Sequence, residues 1–383
     1  MHFSLTDEQT QIQDMALDFA RERIAPHAQQ WDEESHFPVD VIRETAGLGM
    51  AAIYVDADKG GSGLSRLDGA LIFEALSYGC PAVASYISIH NMVAWMVGRY
   101  ATPEQTAAWM PRLASMEWLA SYCLTEPGAG SDAAALRTTA RREGSEYVLN
   151  GTKQFISGAG VTDFYFLFAR TGGEGAGGVS AFVIMKDTPG LSFGANERKM
   201  GWNAQPTRQV ILDEVRVPAA NLVGGVEGAG FKFAMSGLDG GRINIGACSL
   251  GAAWSALDKA SAYVHERKAF GRELADFQAL QFKIADMATD LEAARLMIYR
   301  GADALDRADP QASMYSAMAK RYATDLGFKV CNEALQLHGG YGYLKDYGLE
   351  KLVRDLRVHQ ILEGTNEIMR VVVSRKILAG NRP

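Results

Sequence analysis

Cysteine is scarce in this chain, with four residues in 383: Cys80, Cys123, Cys248 and Cys331. They lie too far apart for a zinc or C-x-x-C redox pattern, so they read as reduced core thiols. Histidine is also thin, seven in all, with no pair four residues apart on a helical stretch, and no metal site is expected. No apolar run approaches the ~20 residues of a membrane-spanning helix. The opening MHFSLTDEQTQIQDM lacks the basic-then-apolar order of a signal peptide and carries acids that transit peptides avoid. A cytoplasmic polypeptide is the expectation. Positive charge is not in excess either. With 38 Lys and Arg against 45 Asp and Glu, the net charge of −7 argues against a nucleic-acid or anionic membrane surface.

What is present is a globular composition, 48% hydrophobic and 22% charged, in a chain long enough for two or three domains. Residues 1–118 read as helices. Thr6 and Gln9 form a capping box, and Ile12, Met15, Ala16 and Phe19 recur at helical spacing up to Pro26, which marks the end. PVDVIRETAGLG, LDGALIFEALSYG, SYISIHNMVAWMVGRYA and PEQTAAWMPRLAS continue the pattern.

Residues 119–224 change character. DFYFLFAR, VSAFVIMK and RQVILDEVRVP are strand-like, and Asn150-Gly151 within YVLNGTKQFISGAG is a hairpin signal. TGGEGAGG reads as a flexible connection. Residues 225–383 return to long helical periods suited to an antiparallel four-helix bundle, with ERKAFG closing one helix. The fold class is thus α+β and multidomain: a helical N-terminal domain, a small β domain without βαβ units, and a helical bundle.

Several stretches combine polar groups, glycines and aromatics. CLTEPGAGSD offers backbone N–H groups and hydroxyls at close range, as a ring system or a phosphate needs, but a tight turn needs the same residues. QFISG ends a strand with Phe155, which could cover a ring or fill a core. Arg267 and Lys268 could simply complement a helix dipole, and the glycines of LQLHGGYGY could simply cap a helix. In HQILEGTNEIMR, Glu363 follows Ile361-Leu362, where desolvation is costly. A following helix N-terminus at Thr365 and Asn366 would suffice to stabilise an acid there.

Taken together, YCLTEPGAGSD, NGTKQFISGAG, RKAFG, FQALQ, QLHGGYGYLKDY and RVHQILEGTNEIMR resemble the acyl-CoA dehydrogenase family over essentially the whole chain. MGWNAQPTR, LDGGRINIGACSLGAA and VRDLRVHQILEGTNE are most similar to its short branched-chain type, which implies isobutyryl-CoA as substrate, in valine breakdown. The middle domain would then be β-barrel-like. The resemblance implies FAD bound between the β domain and the bundle, electron-transferring flavoprotein as electron acceptor, and a homotetramer built as a dimer of dimers.

Tyr122, Leu124, Thr125, Gly130 and Ser131, with Phe155, Ile156 and Ser157, would cradle the isoalloxazine. Arg267, Phe277, Gln278, Gln336, Leu337, Gly339 and Gly340 would meet the pyrophosphate and adenine end, partly across a dimer. Thr365, Asn366 and Glu367 would complete the cofactor site. Ser131, Asp239, Gly240, Gly241, Arg242, Gly364 and Arg375 would meet the acyl-CoA.

By the same resemblance, Glu363 removes the α-proton of the acyl thioester while the β-hydrogen passes as hydride to flavin N5. Apolar neighbours would raise its pKa toward the working pH, as a general base requires. A minority of relatives carry the acid at the position of Gly241, which cannot act as a base here. Phe155 and Leu362 replace the Trp and Tyr of many relatives. Butyryl-CoA or 2-methylbutyryl-CoA are alternative substrates, since one methylene is worth only about 1–3 kcal/mol in a pocket. A non-catalytic acyl-CoA-binding flavoprotein is the alternative of another class.

Overall fold

The computed structural model describes residues 4–380; the first three residues of the opening stretch lie outside them. Helices α1 (Asp7–Phe19), α2 (Ala28–Glu34), α3 (Val39–Glu44), α4 (Arg66–Gly79), α5 (Pro81–Tyr100) and α6 (Pro103–Ala114) come first. The Thr6–Gln9 capping box opens α1. Pro26 does not end the helical path as expected. It sits at the start of a 3-10 turn, where its missing N–H costs nothing, and the chain continues into α2.

One seven-stranded sheet follows, from β1 (Ala120–Cys123), β2 (Thr139–Glu143), β3 (Glu146–Ser157), β4 (Phe164–Arg170), β5 (Val179–Met185), β6 (Leu191–Phe193) and β7 (Thr207–Pro218). The strand order is β1-β4-β2-β3-β7-β6, with β5 against β4 and β1 parallel to β4. The hairpin expected at Asn150-Gly151 is absent, because that pair lies inside β3. The register shifts between Leu149 and Gly151, and a β-carbon on Gly151 would lie 2.5 Å from Thr138 Oγ1. The glycine therefore serves a bulge rather than a turn.

The last part holds α7 (Gly230–Glu266), α8 (Gln278–Asp306), α9 (Ala312–Leu337), α10 (Leu349–Arg357) and α11 (Asn366–Leu378). LDGGRINIG belongs to α7, whose 37 residues are apolar or small almost all round because α4, α5, α8 and α9 all pack on it. Its small residues set the approach: a β-carbon on Gly251 would meet the Glu74 carbonyl of α4 at 1.9 Å. Helix α7 stops at Glu266, not beyond Lys268. Lys268–Ala269 instead pairs with Arg272–Glu273 as a short ribbon, β8 and β9, that turns through Phe270 and Gly271, both at positive φ. Among the described residues no helix is long and apolar enough to cross a membrane, and no His, Cys, Asp or Glu cluster could hold a metal. All four cysteines are buried and free.

Candidate active site

Two loops at the ends of β1 and β3 form one side of the site. Glu126 pins the first. Its carboxylate accepts from the Arg137 and Thr138 backbone N–H groups at 2.6 and 2.9 Å and from the buried Lys153 Nζ at 2.7 Å. The Gln154 N–H donates to the Thr125 carbonyl at 2.8 Å, which sets residues 122–131 beside residues 155–157. Phe155 is held at φ +58 and is 63% exposed. An aromatic side chain in left-handed backbone, turned outward beside Thr125, is the arrangement a planar ring partner would cover. Leu124 and Ile156 are buried beneath this face, while Gly130 and Ser131 are exposed.

The other side comes from α7 and the loop before α11. Glu363 has φ +54 and Gly364 φ +89, two successive left-handed residues. That conformation turns the Glu363 side chain back onto α7, where a β-carbon on Gly241 would lie 2.1 Å from Oε2. The residue is partly exposed as a whole, but Oε2 is buried and has no hydrogen-bond partner among the described residues. Burial pushes the carboxyl up to about 7, with the charges of Arg242 and Lys320 drawing it back.

Tyr122, on β1, is raised well above its ordinary value, by burial first and by the charge of Glu363 second. Its hydroxyl donates to the Ala234 carbonyl of α7 at 3.4 Å, which ties the strand to the helix. Arg242 donates from Nε to the Glu363 carbonyl at 3.2 Å and pairs with Asp239 at 2.6 Å, and Asp239 also accepts from Ser313. The Glu363 N–H meets no acceptor among the described residues. Gly364 is favoured by its positive φ, a conformation that side chains rarely adopt.

A second cleft, of about 390 Å³, lies at the far end of the bundle and brings together Arg267, Gln336, Leu337, Gly339 and Gly340 with Tyr263, His338 and Tyr341. The Arg267 guanidinium stands 5.5 Å over the Tyr341 ring, and Tyr263 stacks on His338 at 4.2 Å. Phe277 and Gln278 sit outside this lining, at the start of α8, with Arg272 stacked 3.9 Å over Phe277. Thr365 caps α11, accepting from the Ile368 N–H, and Glu367 points outward near Arg370.

The Asn366 side chain is buried and bonded to Lys320, Thr324 and Asp325. Arg375 lies exposed on α11. The sequence reading missed Lys320, Tyr54 and Arg66. Lys320 lies in the helical run ASMYSAMAKRYATD beside Arg321, and nothing local in that run marks it as the buried member of the pair. Gly240 clears Arg66, whose NH1 would lie 2.4 Å from a β-carbon there, and Arg66 stacks over Tyr54 and Trp95.

Family comparisons agree with this arrangement. The acyl-CoA dehydrogenase N-terminal, middle and C-terminal domain models match residues 6–117, 121–215 and 228–378. The chain is 55% identical to the mitochondrial isobutyryl-CoA dehydrogenase of Dictyostelium discoideum, over 97% of this chain and 90% of that one. It superposes on butyryl-CoA dehydrogenase from Megasphaera elsdenii with a TM-score of 0.96 at 37% identity, covering 99% and 100% of the two chains. It also superposes on a Mycobacterium smegmatis glutaryl-CoA dehydrogenase in complex with FADH2, with a TM-score of 0.92 at 28% identity and coverage of 99% and 96%. The chain belongs to the acyl-CoA dehydrogenase family and is an oxidoreductase.

Proposed function

We propose that this enzyme carries out the FAD-dependent α,β-dehydrogenation of isobutyryl-CoA, with Glu363 as the general base. The carrying observation is the buried, unpartnered Oε2 of Glu363, set against α7 at Gly241. A carboxyl near 7 is half ionised at neutral pH and basic enough to take a proton from a weak carbon acid. The substrate reading is supported by the 55% identity to the Dictyostelium isobutyryl-CoA dehydrogenase.

The residues fit a flavin. Phe155 with Thr125, Ser131 and Ser157 would hold the ring system. Arg267, Gln336 and the Gly339-Gly340 turn would hold the pyrophosphate and adenine. FAD, when bound, supplies a two-electron acceptor. The protein's own residues do the rest. Glu363 Oε2 takes the α-proton, and the free Glu363 N–H donates to the thioester carbonyl as negative charge builds there. Arg242 and Lys320 hold the loop that carries both groups. Gly241 leaves the carboxyl room to stand against the helix.

Electron-transferring flavoprotein as acceptor and a homotetramer are part of this reading. The tetramer is supported by apolar side chains left outside, with Phe270 95% and Tyr343 81% exposed. A cytoplasmic setting is supported by four free, buried thiols, although the Dictyostelium relative is mitochondrial.

The purified protein should be yellow and should bleach without oxygen on addition of isobutyryl-CoA. Glu363→Gln should stay yellow and fail to bleach; retained reduction sinks the assignment of the base. Faster bleaching with butyryl-CoA or 2-methylbutyryl-CoA would move the substrate, while binding without bleaching in the unaltered protein would mark a non-catalytic flavoprotein.

A further inference from the structure

Three lysines are buried among the described residues: Lys153, Lys320 and Lys351. Two have a carboxylate in contact, Lys153 with Glu126 at 2.7 Å and Lys351 with Asp355 at 2.6 Å. Lys320 forms no ion pair among the described residues. Its Nζ donates to the Gly364 carbonyl at 2.9 Å and to Asn366 Oδ1 at 2.9 Å. Asn366 is held in turn, its Nδ2 donating to Thr324 Oγ1 at 2.9 Å and to Asp325 Oδ1 at 2.7 Å. A buried ammonium answered only by a carbonyl and an amide is costly, so its persistence asks for a charge that it serves.

We propose that Lys320 is a positioning residue for the base: it clamps the Gly364 carbonyl, holds Glu363 in its left-handed conformation against Gly241, and provides the unpaired positive charge that favours the Glu363 carboxylate. The inference rests on the reading of Glu363 as the base.

The clamp has two halves from two helices. Arg242 of α7 holds the carbonyl of Glu363, and Lys320 of α9 holds the next one. Between them they fix both peptide units of a conformation that a glutamate rarely adopts. The two cations differ in what remains of their charge. Arg242 is paired with Asp239, while Lys320 is bonded only to neutral groups.

The other titratable groups around the pair are few. Tyr54, Tyr122 and Cys248 lie within the field of the carboxyl and are each shifted upward, by burial first. Asp325 on α9, Glu367 on α11 and Arg242 act on Lys320 more weakly than Glu363 does. His359 nearby is held neutral by burial. Glu363 is thus the anion that Lys320 answers to most strongly. Burial draws the ammonium down to about 8 and the carboxyl up to about 7, and on the carboxyl the charge of Arg242 acts first and that of Lys320 second.

The test uses the FAD-bound enzyme with Lys320→Met and Lys320→Arg. The protonated-carboxyl infrared band of Glu363, identified by its loss in Glu363→Gln, is followed against pH beside the kcat/KM profile for isobutyryl-CoA. Removing a cation that favours a carboxylate raises that carboxyl, by about 1 pH unit or more where the two charges stand within ~4–6 Å. Lys320→Met should therefore move the band's titration and the acid limb upward together, while Lys320→Arg leaves both near the parent values. A Lys320→Met protein that melts earlier and loses activity equally at every pH, with the band unmoved, overturns the proposal and leaves Lys320 a scaffold residue. If Lys320→Met does not fold, Lys320→Gln, which keeps an amide donor for the Gly364 carbonyl, carries the same comparison. Retained activity in Glu363→Gln would instead overturn the base assignment itself, a separate outcome.

Discussion

A β-carbon on Gly241 would fall 2.1 Å from Oε2 and 2.8 Å from Cδ of Glu363, so residues 122 apart in sequence contend for one small volume. That contact explains in space why the absence of a side chain at Gly241 leaves the Glu363 carboxyl its place against α7. Gly241→Ala is expected to fold, because the clash is with the end of a movable side chain, and to lose turnover by about 100-fold as the carboxyl is displaced by an ångström or more. Flavin content and melting temperature, measured beside kcat, separate this outcome from a packing defect.

Glu363 should also make the protein less stable than it could be. Its carboxyl binds a proton more tightly folded than unfolded, because burial raises it from 4.5 to about 7. The folded state therefore loses relative stability as pH rises through that window, and the loss is complete above it. Glu363→Gln should melt higher than the parent above pH 7, by an amount worth at most roughly 3 kcal/mol, with the advantage fading below pH 5. Equal melting curves at all pH values would mean the carboxyl is solvated.

Lys153 and Glu126 form the buried pair beneath the loop of residues 124–131. Lys153→Met strands the Glu126 carboxylate, which the Arg137 and Thr138 N–H groups alone must then satisfy. A cost of about 3–5 kcal/mol is expected. The double change Lys153→Met with Glu126→Leu should recover much of it in denaturant titrations, and should still bind FAD less well because residues 124–131 lose their anchor.

Phe155 contributes nothing to the core at 63% exposure, and its backbone is left-handed. Phe155→Ala is therefore expected to leave the melting temperature of the FAD-free protein within about 1–2 °C, since exposed substitutions cost little. FAD affinity should fall about tenfold, the order of one aromatic contact. Titration calorimetry on both proteins decides it.

Much of the fold was legible because its signals are local. The Thr6–Gln9 box, the helical spacing in α4 to α6 and the alternation of RQVILDEVRVP each depend on neighbours within a few residues. The errors arose where a local signal had a second use. Asn150-Gly151 carries turn chemistry, yet it serves a bulge against Thr138. Pro26 breaks helices in general, yet at the head of a 3-10 turn it lacks only a donor that would go unused. The side chain of Asn366, a cofactor residue by resemblance, turns inward from α11 to Lys320, a contact that no local pattern announces.

Sequence by itself determined the succession of helical, β and helical segments, and its resemblance to a family pointed to Glu363, an acid between an apolar run and a glycine. Only the tertiary structure decided what surrounds that acid: Gly241 against its oxygen, Arg242 on its carbonyl, and Lys320 on the next one. The physical reason is that periodicity states which face of a helix avoids water. It does not state which groups from α7, α9 and β1 will share the space that face encloses, and it is those groups that set a carboxyl's charge.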